Sequence, residues 1–352
     1  MKTLFQWTKV NFFQKSLDTR IRNFKFSFNQ GNYFQYLMNR FQWYVYPNFN
    51  NVSPFPLHVD IETSARCDLR CPMCASRHID DEKYNRYGHM DFDLYKDIVD
   101  ECATHQVFSV RLSWRGEVFT NPDFLNYVRY AKVEKKIPQV SFLTNGFQLK
   151  KNIAQELIRM GVDYISVSVD GMDDMYEKIR FPARFDDIYE NLVQLKTLRQ
   201  EMGKKKPLIR ITTLWPAIAN CAEAYYAKMS RVSDMIVYNP LKDYTITTQD
   251  RMGFTKCQFL WERLFVGFDG SVHPCSNTKD EFQIGSVRQH TLKEIWRGPE
   301  MTELRSQHMA GKRLEVSPCN TCSYGVDYEK RWKNRDWRHW DPSELIPKKD
   351  SP

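Results

Sequence analysis

Between residues 57 and 240 the chain alternates short apolar runs with longer amphipathic ones. The short runs, 57–62, 107–113, 139–144, 164–170, 208–214 and 235–238, have the length and composition of strands. The longer ones, 92–105, 122–135, 152–160, 185–201 and 222–232, carry helical patterns. Alternating strand and helix predicts an α/β fold on a parallel sheet with right-handed crossovers. Six strands are too few for a full eightfold barrel. Parallel α/β folds place their sites at the carboxyl ends of the strands, so the segments that follow the strands are where chemistry is expected. Residues 1–50 read as two short helices with interleaved aromatics, and a Pro-punctuated linker runs from Pro47 to Pro56.

Composition narrows the class. The 352 residues are 42% hydrophobic and 27% charged, enough for a large core or two domains and too apolar for disorder. Net charge is +8, and residues 1–55 hold seven Lys/Arg against one Asp, with 16 of the 50 aromatic residues. Such an extension either attracts an anionic partner or packs on the fold with a solvated basic face; the packed arrangement is the expectation. No nucleic-acid module is recognisable, so no nucleic-acid partner is expected. No stretch reaches the eighteen apolar residues of a membrane span, and Lys9, Gln14 and Lys15 interrupt the only early apolar run. Nine cysteines without a secretory signal point to a reducing cytoplasm and to thiolates kept for metal.

Three of those cysteines stand in Cys67-Asp-Leu-Arg-Cys71-Pro-Met-Cys74, directly after the first strand. Three thiolates leave one iron of a [4Fe–4S] cubane without a protein ligand, since such clusters normally take four. A zinc knuckle is the alternative, with His78 as the nearby fourth ligand. After the second strand comes Arg115-Gly116-Glu117-Val118, after the third Thr144-Asn145-Gly146, and after the fourth Ser166-Val-Ser168-Val-Asp170-Gly171. Each alone is an ordinary turn signal. Together, in this order, they resemble the radical S-adenosylmethionine (SAM) enzymes, whose fold is a partial (β/α)6 barrel. The resemblance implies that the open iron binds SAM and that Gly116 and Glu117 hold its ammonium. Asn145 and Ser168 would point toward its ribose and carboxylate, and Met73 would lie near adenine unless it faces the core. Arg115 and Val118 depart from the Gly and Pro of the family's Gly-Gly-Glu-Pro.

Four further cysteines, Cys257, Cys275, Cys319 and Cys322, follow the barrel, with a hairpin pattern and an Asp269-Gly270 turn between the first two. A structural zinc site would use such a set equally well. The order is similar to the auxiliary-cluster extension of radical SAM enzymes in its shorter, twitch form; the longer SPASM form carries more cysteines. The resemblance implies a second, fully ligated [4Fe–4S] cluster. The domain reading is thus 1–55 extension, 56–245 barrel, 246–328 auxiliary domain and 329–352 tail. The tail, with Trp332, Trp337, Trp340 and seven basic residues from Lys330 to Lys349, covers the substrate entrance or rests as a helix on the barrel. Cys102 and Cys221 are left over as buried hydrophobes or, for a radical mechanism, hydrogen-atom donors.

The implied chemistry is hydrogen abstraction by a 5′-deoxyadenosyl radical from a sugar, nucleotide-sugar or cyclitol, with one electron passing to the auxiliary cluster and a proton to a base. Peptide modification is the alternative substrate class, and a non-catalytic iron–sulfur electron carrier a third reading. A reductant such as flavodoxin or ferredoxin is the implied partner. The base is not singled out among Arg180, Tyr176, Asp170 and His273. Metal analysis of anaerobically reconstituted protein should give about eight irons per chain, falling to about four when Cys67, Cys71 and Cys74 are all changed to Ala. Zinc in place of half that iron would remove the auxiliary cluster.

Overall fold

A computed structural model describes residues 15–74, 88–239, 256–276, 282–320 and 322. His78 and the tail residues Trp332, Trp337 and Trp340 lie outside them. The described strands are β1 (Lys15–Ser16), β2 (His58–Ile61), β3 (Ser109–Arg111), β4 (Gln139–Thr144), β5 (Tyr164–Ser168), β6 (Leu208–Leu214), β7 (Met235–Asn239), β8 (Arg263–Val266), β9 (Ser271–His273) and β10 (Gly285–Ser286). They form one sheet in the order β1-β7-β6-β5-β4-β3-β2-β8-β9-β10. Strands β2 to β7 are the six expected ones, each parallel to the next. Helices Phe92–Thr104, Lys151–Met160, Phe185–Glu201 and Ala222–Met229 connect them as the periodicity predicts. The stretch 122–135 divides into helix Phe124–Arg129 and a π-helical turn, Tyr130–Glu134. Two short helices, Asp173–Ile179 and Trp215–Ile218, follow β5 and β6; they are too short to leave a period in the sequence.

The expected hairpin forms between β8 and β9, with Gly270 at φ +91° in its turn. Its first strand does more than the pattern indicated. It pairs parallel with β2, Arg263 opposite His58 and Val266 opposite Ile61. The cysteine-bearing segment is therefore continuous with the first barrel strand, and the sheet has seven parallel strands.

Alternation along the strands separates two faces. Val59, Ile61, Val110, Val140, Phe142, Ile165, Val167, Ile209, Ile211 and Leu264 belong to the apolar core under the helices. The intervening residues, among them His58, Asp60, Ser109, Arg111, Ser141, Ser166 and Arg210, line the inner face. Both faces of a parallel sheet are usually apolar; here the inner one holds ion pairs and hydroxyls. Asp60 is fully buried and ion-paired with Arg111, and His58 Nδ1 lies 2.5 Å from Ser109 Oγ.

The N-terminal extension closes the amino end of this lumen. β1 adds antiparallel to the outer edge of β7. Helices Arg20–Phe28 and Tyr33–Val45 bring side chains against the first residues of four strands. Phe26 meets Tyr164 edge-on at 5.7 Å, and Gln139 donates to Gln30 at 2.6 Å. Trp43 faces His58 at 6.1 Å and carries the Arg263 guanidinium at 4.5 Å. Asn39 donates to the Leu57 carbonyl at 3.1 Å. The extension thus packs on the fold as expected, while Ile21, Phe24, Phe34 and Met38 on its outer side stay exposed.

His58 yields a pH prediction. Burial pushes its imidazole down to about 4, against the opposing pull of Asp60. Between that value and the ordinary 6.5 the unfolded chain binds a proton that the folded one does not. The His58 contribution is therefore present above pH 6.5 and is lost as pH falls toward 4, by on the order of 3 kcal/mol. Denaturant melts of wild type and His58→Asn should show a shallower loss for the variant over that window; parallel curves would remove His58 from the account.

Candidate functional site

The chain leaves β2 through Glu62, which is fully buried. Its carboxylate accepts from Arg115 Nε and Nη2, both at 2.8 Å, and from the Phe268 amide at 3.3 Å. This fork explains why Arg115 stands where the resemblance has a glycine: it ties the second strand's loop to the first strand, and its guanidinium stacks on Trp114 at 4.2 Å. The next residue admits no side chain. A Cβ on Gly116 would sit 2.4 Å from the Ser64 carbonyl oxygen and 2.6 Å from that of Arg66. Glu117 then donates its amide to the Arg66 carbonyl at 2.7 Å. The Gly-Glu pair is docked directly beneath the cysteine loop.

Glu117 joins the motifs. It is buried, and its carboxylate accepts from Thr144 Oγ1 and from the Asn145 amide, both at 2.6 Å. Burial pushes the carboxyl up to about 7, although these hydrogen bonds pull it back. Asn145 Nδ2 donates to Asp68 Oδ1 at 2.6 Å, inside the cysteine run. Three strand ends, β2, β3 and β4, meet in one hydrogen-bond network. From the fourth, Asp170 accepts from Arg180 Nε and from the Leu214 amide, both at 2.7 Å. Arg180 Nη1 in turn reaches Cys71 Sγ at 3.8 Å. Ser168 is buried at the end of β5, opposite Thr212. Met73 packs with Ile179, Ala217 and Trp215.

The three loop thiols are electrostatic neighbours. Burial pushes Cys67 up to about 12, and Glu117, Cys71 and Asp68 add to this against a backbone hydrogen bond from Leu69. Burial also raises Cys71, with Arg180 opposing and Cys74 adding. Metal-free thiols of this kind are protonated, and a metal centre has to displace those protons. A cationic guanidinium at Cys71 and a carboxylate network that orients the loop suit an anionic cluster there.

The four later cysteines, Cys257, Cys275, Cys319 and Cys322, line a single cavity, with Leu260, Leu304, His308 and Arg313 in its wall. The Cys257 amide donates to His308 Nδ1 at 3.1 Å, which leaves the imidazole proton on Nε2. Nε2 is buried without a hydrogen-bond partner among the described residues. Burial and then Arg313 push this histidine down to about 4, so the ring is neutral. Arg313 favours the thiolates of Cys257 and Cys319, against the burial that raises both. Four thiols, a neutral N–H donor and a buried guanidinium around one cavity fit a closed iron–sulfur centre. His308 and Arg313 belong to no sequence motif; only their placement reveals them.

The remaining candidates separate. The Tyr176 hydroxyl is buried and has no hydrogen-bond partner among the described residues. His273 lies in β9 with its ring nitrogens at 3.1 Å from the Phe282 carbonyl and from Ser271 Oγ, and its ring against Trp114. Cys102 is fully buried in the core. Cys221 is half-buried beside Asp173, and burial raises its thiol.

A parallel sheet with a motif at each of four strand ends, followed by a four-cysteine cavity, defines a radical SAM architecture with an iron–sulfur extension. Residues 61–203 match the Radical SAM superfamily, and residues 257–323 match the SPASM iron-sulfur cluster-binding domain. The chain belongs to the radical SAM superfamily and carries an SPASM-type domain; proteins of this architecture bind SAM, a [4Fe–4S] cluster and auxiliary iron–sulfur. It is 29% identical over 315 residues to the tungsten-containing aldehyde ferredoxin oxidoreductase cofactor-modifying protein of Pyrococcus furiosus, covering 75% of this chain and 86% of that one. It is 21% identical over 289 residues to the antilisterial bacteriocin subtilosin biosynthesis protein AlbA of Bacillus subtilis, covering 72% and 62%. Among solved structures, BtrN with AdoMet and 2-DOIA superposes with a TM-score of 0.52 at 16% identity, covering 76% of this chain and 92% of BtrN. Native anSMEcpe with bound AdoMet gives 0.55 at 14% identity, covering 83% and 95%. These two show the fold. Among the described residues no helix is long and apolar enough to cross a membrane.

Glu117→Gln keeps the size of the side chain and removes the charge. Reconstituted variant should retain its iron and lose SAM cleavage by on the order of a hundredfold, about 3 kcal/mol of transition-state stabilisation. Undiminished 5′-deoxyadenosine formation would place the SAM ammonium elsewhere.

Proposed function

We propose that this protein is an oxidoreductase that removes hydrogen from a carbon of a small polar substrate, of the sugar, nucleotide-sugar or cyclitol kind, held in the barrel lumen. The observation that carries this reading is the inner face of the sheet. It offers hydroxyls, carboxylate and guanidinium groups where an apolar guest would need apolar walls. The name of the Pyrococcus relative, a cofactor-modifying protein, points to a small molecule as well.

In this reading Cys67, Cys71 and Cys74 hold the SAM cluster. Gly116 and Glu117 take the SAM ammonium, Asn145 and Ser168 its ribose and carboxylate, and Met73 flanks the adenine. Cys257, Cys275, Cys319 and Cys322 hold one auxiliary cluster. When bound, SAM and the two clusters supply a 5′-deoxyadenosyl radical and a one-electron acceptor. The rest of the work falls to the chain. Thr144 and the Asn145 amide keep the Glu117 carboxylate aimed before SAM arrives. Arg180 holds Asp170 and adds positive charge at Cys71. Tyr176, whose hydroxyl has no hydrogen-bond partner among the described residues and whose electrostatic neighbours are Arg180, Asp170 and Cys71, is fully buried and keeps its proton, since burial raises the phenol. A one-electron protein donor of the flavodoxin or ferredoxin class supplies the reductant.

Likeness to AlbA, a bacteriocin biosynthesis protein, favours a peptide substrate as the second reading. Anaerobic enzyme with SAM and dithionite, given either the small-molecule or the peptide fraction of a cell extract, decides between them. Stimulation of 5′-deoxyadenosine formation by small molecules alone is the expected result. Stimulation by peptides alone would replace it with a peptide-modifying enzyme.

A further inference from the structure

Arg210 faces the lumen from β6, one inward position below Thr212 and about 6–7 Å along the strand from it. It donates from Nε to Ser166 Oγ at 2.6 Å and lies over the Tyr164 ring at 5.0 Å. Neither partner carries a negative charge. The two charged groups nearest it in effect are Arg111 and Arg263, and both disfavour its ionised form, on top of the larger penalty of burial. Those two arginines share one carboxylate. Arg111 pairs closely with Asp60, and Arg263 stands 3.6 Å from the other Asp60 oxygen. Glu262 is 3.7 Å from Arg263, but burial pushes its carboxyl up to about 7, so its charge is partial near neutrality.

Among the described residues Arg210 therefore has no carboxylate of its own, because Arg111 and Arg263 take Asp60 and Glu262 between them. Arg210 is half-buried, and a charge partly withdrawn from water without a partner is costly; an anion arriving from outside would offset that cost. The arginines are not sealed off from an arrival: the Arg111 and Arg263 side chains are 23% and 16% exposed. Two hydroxyls on the same inner face, Ser141 Oγ and Thr212 Oγ1, are buried without hydrogen-bond partners among the described residues. Ser141 stands opposite Arg111 in the strand register, and Thr212 stands opposite Ser168. The unmet donors run from the floor of the lumen to the layer in which SAM is expected.

We propose that the lumen floor is an anion subsite in which Arg210, backed by Arg111 and Arg263, receives a carboxylate or phosphate group of the substrate. The planar guanidinium fork suits either group. The inference rests on the lumen being the substrate chamber, and it adds the substrate's class: a polar molecule with an anionic end, its reactive carbon held above that end.

Anion binding needs no turnover, so it is tested separately from the reaction. Thermal melts of the reconstituted, full-length holoenzyme would be followed against inorganic phosphate and, separately, succinate, at ionic strength held constant with chloride. A saturable rise in Tm with phosphate assigns a phosphorylated substrate; a rise with succinate alone assigns a carboxylate. Arg210→Gln should weaken that binding at least tenfold. Without added anion, the variant should melt no lower than wild type, because an unbalanced, half-buried charge has been removed. Arg210→Lys, which keeps the charge and loses the fork, should bind at an intermediate level. The proposal is overturned if neither anion gives a saturable rise, if Arg210→Gln binds as wild type does, or if Arg210→Gln melts lower than wild type without anion. The last result would make Arg210 a structural residue. 5′-Deoxyadenosine formation, read on the same preparations, reports the reaction independently.

Discussion

A parallel sheet that curls around a lumen without filling it has to keep two faces of opposite character. The helix-facing side of this sheet is a continuous apolar layer, which supplies the cohesion. The inner side cannot be equally apolar, or it would collapse into a packed core as in a closed barrel. Ion pairs and hydroxyls line it instead, and the site is mounted at its edge. The cysteine loop, the Gly-Glu edge and the Asn-Gly turn sit at its rim because the strands end there. Arg111, Arg210 and Arg263 stand inside it because alternation puts them there.

The rim is held by buried carboxylates rather than by apolar packing. Glu62 binds the second strand's loop to the first strand through Arg115, and Glu117 binds the third to the second. Asp170 does the same between the ends of β5 and β6. A buried carboxylate that accepts from backbone amides fixes loop positions more tightly than side-chain packing would, since its acceptor geometry is directional. One of these three groups, Glu117, is also the proposed partner of the SAM ammonium, so in that reading an anchor of the loops doubles as a ligand of the site.

Much of this was legible in the sequence because it depends on local order. Six strands, four connecting helices and seven cysteine positions follow from period and spacing. The parallel pairing of β8 with β2 was not legible: it joins residues some two hundred positions apart, and a hairpin pattern says nothing about its outer neighbour. Helices Asp173–Ile179 and Trp215–Ile218 were missed because fewer than three turns carry no usable periodicity. Arg115 appeared as a departure from a motif until Glu62 showed its partner. His308, Arg313 and Arg210 are single residues in otherwise ordinary segments, and their meaning lies wholly in what the fold brings beside them.

The plug beneath the floor of the lumen comes from a different stretch of chain than the walls. Phe26 and Gln30 meet Tyr164 and Gln139 from below, while the cysteine loop and the motifs that follow the strands are mounted on the rim above. Depth and reactivity are thus set by separate pieces of sequence. A longer or shorter side chain in that plug would shift the floor, and with it a guest, relative to the rim and bring a different carbon to the reacting height. The N-terminal helices act as a depth gauge, by which a lineage could change which position of a molecule is attacked while leaving the iron-binding apparatus untouched.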